Sequence, residues 1–99
     1  MGESEHGYSR YVAGRMAEAQ KGKVDAYYDL GLVYATGQGV AQDLVAAHKW
    51  FNLAAARGLQ RAVADREELA REMSTVEIAE AQRQARAWLS STVLHRNAA

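Results

Sequence analysis

The stretch that decides the fold runs from residue 26 to residue 62. It reads Ala26-x3-Leu30-Gly31-x2-Tyr34-x2-Gly37-x-Gly39-Val40-x2-Asp43-x3-Ala47-x2-Trp50-x3-Ala54-Ala55-x2-Gly58-x3-Ala62. Small and aromatic residues return at helical spacing, pause at a glycine loop, and return again. The spacing predicts one helix over 24–36, with Ala26, Tyr27, Leu30, Gly31 and Tyr34 facing inward, and a second over 44–57, with Ala47, Trp50, Phe51 and Ala54 inward. Gly31 lets a neighbouring helix approach closely. Gly37 and Gly39 bracket a turn in which positive φ is common, Val40 fills the gap between the two helices, and Asp43 is placed to cap the amides of the second helix. A helical hairpin of this kind cannot bury its own apolar faces. It must stack on another copy, so the pattern predicts a short solenoid, and a solenoid points to binding rather than catalysis.

Upstream, residues 1–7 are polar and are expected to be disordered. From Tyr8 the period turns helical, with Tyr8, Tyr11, Val12, Arg15, Met16 and Ala19 on one face. Gly14 weakens this helix by about 1 kcal/mol relative to alanine, and Gly22 ends it. Downstream, a fourth helix over about 60–73 offers Ala62, Val63, Leu69, Ala70 and Met73 to the core. Ser74-Thr75-Val76-Glu77 then forms a capping box that opens a fifth helix to about Ser91, with Ile78, Ala81, Ala85, Trp88 and Leu89 inward. Residues 92–99 are expected to fray. The chain repeats itself at 36 residues: Ala19 and Gly22 map onto Ala55 and Gly58, and Ala26 onto Ala62. The first helix therefore reads as the back half of a repeat, helices two and three as a full repeat, and helices four and five as a divergent one. The expected folded domain spans 8–91, with its best repeat at 24–58.

Composition narrows the function classes. With 99 residues the chain forms one domain, and 48% apolar residues support a packed core. Twelve basic and twelve acidic side chains balance, which argues against generic binding to nucleic acid or to an anionic membrane. There is no cysteine, hence no disulfide or thiolate metal site, and no proline, as suits a chain that is nearly all helix. No apolar run approaches the ~20 residues of a bilayer span. The acidic N-terminus is not a secretory signal, so the expected compartment is the cytoplasm.

The segments Leu30-Gly31-x2-Tyr34, Gly37-x-Gly39-Val40, Asp43, Ala47, Trp50 and Ala54-Ala55-x2-Gly58 resemble the Sel-one-like repeat family, a relative of the tetratricopeptide repeat. The resemblance is strong over 24–62. Ile78-Ala79-Glu80-Ala81-Gln82 is similar to the closing helix of short bacterial members. The fourth helix departs from the pattern, because Arg66 and Glu67 stand where the family has Leu-Gly, which suggests a terminal cap. The resemblance implies an all-α fold, a short right-handed α/α superhelical solenoid of about five antiparallel helices. It further implies an adaptor or scaffold with no chemistry and no cofactor of its own, whose first helices line a concave binding surface.

On that surface the candidate strip is Tyr28 and Leu32, pointing away from the core, with Asp25 and Asp29 beside them and Asp65, Glu68 and Glu72 extending it along the fourth helix. An acidic groove with one aromatic would favour a basic or amphipathic helical peptide. The competing reading is that Tyr28 packs on the first helix. Trp50 is read as a core residue and His48 as solvent-facing. His6, His48 and His95 lack metal-ligand spacing, and Gly37-x-Gly39 has neither the preceding strand nor the third glycine of a dinucleotide loop. Arg57, Arg61, Arg66, Arg71, Arg83, Arg86 and Arg96 are interleaved with acids and read as solvent pairs, Glu67–Arg71 among them at i, i+4. Ala98-Ala99 is a minor candidate for a degradation signal. The reading is thus a protein-binding module, with another protein as partner. Its rivals are a self-associating structural homodimer without a separate ligand and, from another class, a small enzyme or nucleotide binder.

Overall fold

The computed structural model describes the backbone of residues 7–97 and the side chains of residues 7–91. Five helices follow one another: α1 (Arg10–Gln20), α2 (Val24–Thr36), α3 (Leu44–Ala56), α4 (Gln60–Ala70) and α5 (Thr75–Asn97). The protein is all-α, and the only β pairing among the described residues is an isolated antiparallel bridge between Tyr8 and Val40. Residues 1–6 and the Ala98-Ala99 end lie outside the described residues, and so do His6, the side chain of His95 and the side chains of the tail expected to fray.

Each helix starts where a side chain or a turn meets its unpaired amides. Ser9 Oγ accepts from the Val12 amide at 3.3 Å and Asp43 Oδ1 from the Ala46 amide at 3.1 Å. At α5 the capping box closes from both sides: Ser74 N donates to Glu77 Oε1 at 2.8 Å, and Glu77 N donates to Ser74 Oγ at 3.1 Å. The 36-residue repeat is written in the backbone as well. Lys21, Gly22 and Lys23 donate to the Glu18, Ala19 and Glu18 carbonyls, and Arg57, Gly58 and Leu59 donate to Ala54, Ala55 and Ala54. Ala26 and Ala62, the matching positions one turn later, are both fully buried.

The core lies around α3, which packs on α2, α4 and α5, while α1 packs on α2. Trp50, 1% exposed, stacks on Tyr27 with ring centroids 5.8 Å apart and meets Trp88 edge-on at 4.8 Å. Leu30, Leu53 and Val12 complete the group of largest fully buried side chains. The α2–α3 approach depends on Gly31: a Cβ there would overlap the Phe51 ring. The loop after α2 depends on Gly37 and Gly39, both at positive φ, and at Gly39 a Cβ would also meet Ser9 Oγ at 2.6 Å. Ser9 N donates to the Gly39 carbonyl at 2.7 Å, so the segment before α1 clamps the loop while Val40 packs on the core.

Several faces differ from the sequence reading. Tyr11 is 57% exposed and Leu89 44% exposed. α1 packs mainly on α2, so its buried stripe is narrower than a helix with two full neighbours would need. His48 is buried at 3% exposure rather than solvent-facing, because α3 has neighbours on several sides. Arg71 pairs with Glu68 at 2.8 Å and not with Glu67. The chain leaving α4 tightens into i→i−3 bonds from Arg71, Glu72 and Met73, which bring side chains three apart into line. Helices α4 and α5 do not form a packed hairpin. Both lie against α3 and approach each other only marginally.

Candidate partner-binding face

The strip expected on the first helices of the repeats falls on α2 and α4. Along α2, Asp25, Asp29 and Leu32 follow one side at i, i+4 and i+7 spacing. Asp25 is exposed in the first turn, where an acid suits the helix dipole. Leu32 stands 39% exposed, a large apolar side chain left in water.

Tyr28 turns toward α4 rather than α1. Its ring lies against Phe51 with centroids 5.6 Å apart, and its hydroxyl donates to Asp65 Oδ2 at 2.5 Å. The Arg61 guanidinium sits 4.7 Å over the ring. The hydrogen bond to Asp65, with burial behind it, raises the Tyr28 pKa above the ordinary phenol value. Residues 28 and 65, 37 apart in sequence, thereby fasten α2 to α4.

The charge on this face is largely matched. Asp29 Oδ2 pairs with Arg15 Nη1 at 3.1 Å, both side chains about a quarter to a third exposed. Glu68 pairs with Arg71, and Asp65 accepts the Tyr28 hydroxyl hydrogen bond with Arg61 close by. Asp25 and Glu72 are exposed without an ion pair among the described residues. The structure thus brings Tyr28 and Asp65 together, sets Asp25, Asp29 and Leu32 in line beside them, and leaves Glu68 and Glu72 farther along, the latter in the turn after α4. The surface is mixed rather than acidic, because Arg15, Arg61 and Arg71 fold back onto it. Arg61 and Arg15 were the participants the sequence reading missed. Arg61 was legible as a residue one turn before Asp65, and Arg15 lies on the α1 face that meets α2.

Other arginines act as ties. Arg57 Nη1 donates to the Gly22 carbonyl at 2.9 Å, and Arg66 Nη1 to Asn52 Oδ1 at 2.7 Å. Among the described residues no group of three or more His, Asp and Glu side chains could hold a metal ion, and no helix is long and apolar enough to cross a membrane.

Comparison with known proteins agrees with this anatomy. Neither the curated proteins nor the solved structures contain a match to the chain. Residues 24–59 match the family model of the Sel1 repeat, a span that covers α2, the glycine loop, α3 and the turn that follows. The chain therefore carries a Sel1 repeat over α2, the glycine loop and α3, set among further helices.

Proposed function

We propose that this protein is an adaptor that binds a segment of another protein on the face where α2 is tied to α4 through Tyr28, Arg61 and Asp65. Sel1 repeats are generally protein–protein interaction modules, and that general role is the starting point. The observation that carries the reading to this face is Leu32. It is an exposed leucine in register with Asp25 and Asp29 and next to the Tyr28–Arg61–Asp65 cluster, so it offers an apolar anchor inside a ring of charges. Such a centre, apolar with a polar rim, is how interfaces concentrate their binding energy. The matched charges suit an amphipathic helical segment with both signs on its polar side. Cofactors and catalysis play no part in this reading, and the cytoplasm is the compartment it assumes.

The test is capture of binding proteins from native cell extract with wild type, Leu32→Asp and Leu89→Ser. Leu89 is an equally exposed leucine on α5. A protein retained by wild type and Leu89→Ser but lost with Leu32→Asp supports the α2–α4 face. A captured set that is the same for all three removes it. Sedimentation of the free protein addresses the homodimer rival, because a monomer leaves this face open.

A further inference from the structure

Between α3 and α5 the described residues hold a charge with no ion-pair partner. Lys49, on α3, is half-buried, and among the described residues it makes no ion pair and no hydrogen bond. Its ammonium sits 4.5 Å from the centroid of the Trp50 ring and 5.2 Å from that of Trp88. Cation–π attraction to two indoles offsets part of the lost hydration, but the rings supply no hydrogen-bond acceptor for the N–H donors of the ammonium. Burial accordingly pushes the Lys49 pKa below its ordinary value. Beside the ammonium opens a cleft of about 360 Å³ between α3 and α5, lined by Lys49, Arg83, Gln84 and Trp88 among others. Among the described residues no carboxylate lines it. The nearest acid in sequence, Glu80, is committed to Arg83 through bonds of 2.9 and 2.6 Å and to Gln84 at 2.8 Å. Arg83 gives Nε and Nη2 to that pair and keeps Nη1.

We infer that this cleft is a carboxylate-binding site, in which Lys49 supplies the unpaired charge, Arg83 Nη1 a second donor, and the Trp88 indole a wall for the apolar part of the ligand. Its size suits a single residue-sized group, either a free small carboxylate or the carboxylate at the end of a polypeptide chain. The site lies on α3 and α5 and is independent of the α2–α4 reading.

The protein contains two tryptophans, Trp50 and Trp88, and both lie under Lys49. The two indole N–H signals in a ¹H–¹⁵N spectrum therefore come from rings beside this cleft, and Lys49→Met separates shifts that arise at the ammonium from those that arise elsewhere. Titration with benzoate, with tetra-alanine bearing a free C-terminus and with its C-terminal amide, against chloride at matched ionic strength, is expected to give saturating shifts for the carboxylates, with a midpoint below about 10 mM. Lys49→Met, which keeps the stem and removes the charge, is expected to weaken this at least tenfold, and Arg83→Gln several-fold. A free C-terminus that outperforms both its amide and benzoate assigns the site to chain ends, whereas benzoate matching the free peptide assigns it to small carboxylates. Shifts that stay linear and equal to those of chloride, or that saturate unchanged in Lys49→Met, overturn the assignment. If Lys49→Met does not fold, the wild-type Lys49 Cε titration decides: benzoate must raise its midpoint, since a bound anion favours the charged ammonium, and an unmoved midpoint overturns the site.

Discussion

Helices α2 and α4 begin alike and end differently. Both follow the same set of turn hydrogen bonds, both start 36 residues apart in register, and both bury an alanine at their third position. Past that point α2 carries Leu30-Gly31 and closes on Gly37 in the left-handed region, whereas α4 carries Arg66-Glu67 and reaches Met73 where Gly37 would stand. The consequence is in the partner helix. Gly31 lets the Phe51 ring lie on the α2 backbone, and the glycine loop returns α3 along it. Without that notch and that turn, α5 leaves α4 and crosses to α3, where Trp88 meets Trp50. The start of a repeat is thus set by its N-terminal turn, while hairpin formation is set by one small residue in mid-helix and the loop after it. Substitutions can test each half of that statement.

The largest effect is expected where both repeats converge. Trp50 touches Tyr27 from α2 and Trp88 from α5. Trp50→Ala is expected to lower the stability by about 3–5 kcal/mol, as large-to-small core changes do, measured by chemical denaturation. A mutant with an unchanged midpoint would mean that α5 is not held on α3 through this ring. Gly31→Ala comes next. Gly31 has no positive φ, so alanine should favour the helix by about 1 kcal/mol on propensity alone. The added Cβ meets the Phe51 ring, however, and overpacking of this kind costs about 1–3 kcal/mol. Net destabilisation is expected, and a stabilised Gly31→Ala would show that α3 does not need the notch.

The third effect is a pH dependence centred on α3. His48 is buried with Nδ1 unpartnered, and desolvation, with the Arg66 charge as a smaller contribution, holds its pKa below the ordinary 6.5. The unfolded chain then binds a proton more readily than the folded one, so stability is full above pH 6.5 and falls as the pH drops through the folded-state pKa. Denaturation midpoints measured from pH 7.5 to 5 are expected to decline for wild type and to flatten for His48→Gln. A wild-type midpoint that does not change over this range would place the imidazole in water.

The first repeat was legible because its signals are local. Ala26, Leu30, Gly31, Trp50 and Ala54 share a period and a loop, and all of them are buried on the expected faces. The capping box was legible for the same reason, being a contact between residues three apart. What sequence could not give were consequences of which helices become neighbours. His48 is polar, yet α3 reads apolar nearly all round, with Ala46, Ala47, Trp50, Phe51, Leu53 and Ala54, and a helix of that kind is buried on every side. The apolar run around α3 therefore outweighs the polarity of residue 48. Of the candidate face, the positions on α2 could be read from spacing. The tie from Tyr28 to Asp65, the arginines that neutralise the strip and the Lys49 cleft could not, because each joins helices whose relative placement no local pattern encodes.

The smallest effect tests that placement directly. Glu67 occupies the position in α4 that Gly31 holds in α2, and it is exposed. If α5 packed on α4 as α3 packs on α2, Glu67→Gly would open a notch, bring the helices together and raise the stability. With α5 lying on α3 there is nothing to receive, and only the helix propensity of residue 67 changes. A loss of roughly 0.5–1 kcal/mol is expected, read from the denaturation midpoint and accompanied by unchanged indole signals from Trp50 and Trp88. A gain in stability together with shifted indole signals would mean that this single glutamate keeps the second hairpin apart, and the contrast between the two repeats would then rest on one side chain instead of on the loop that follows it.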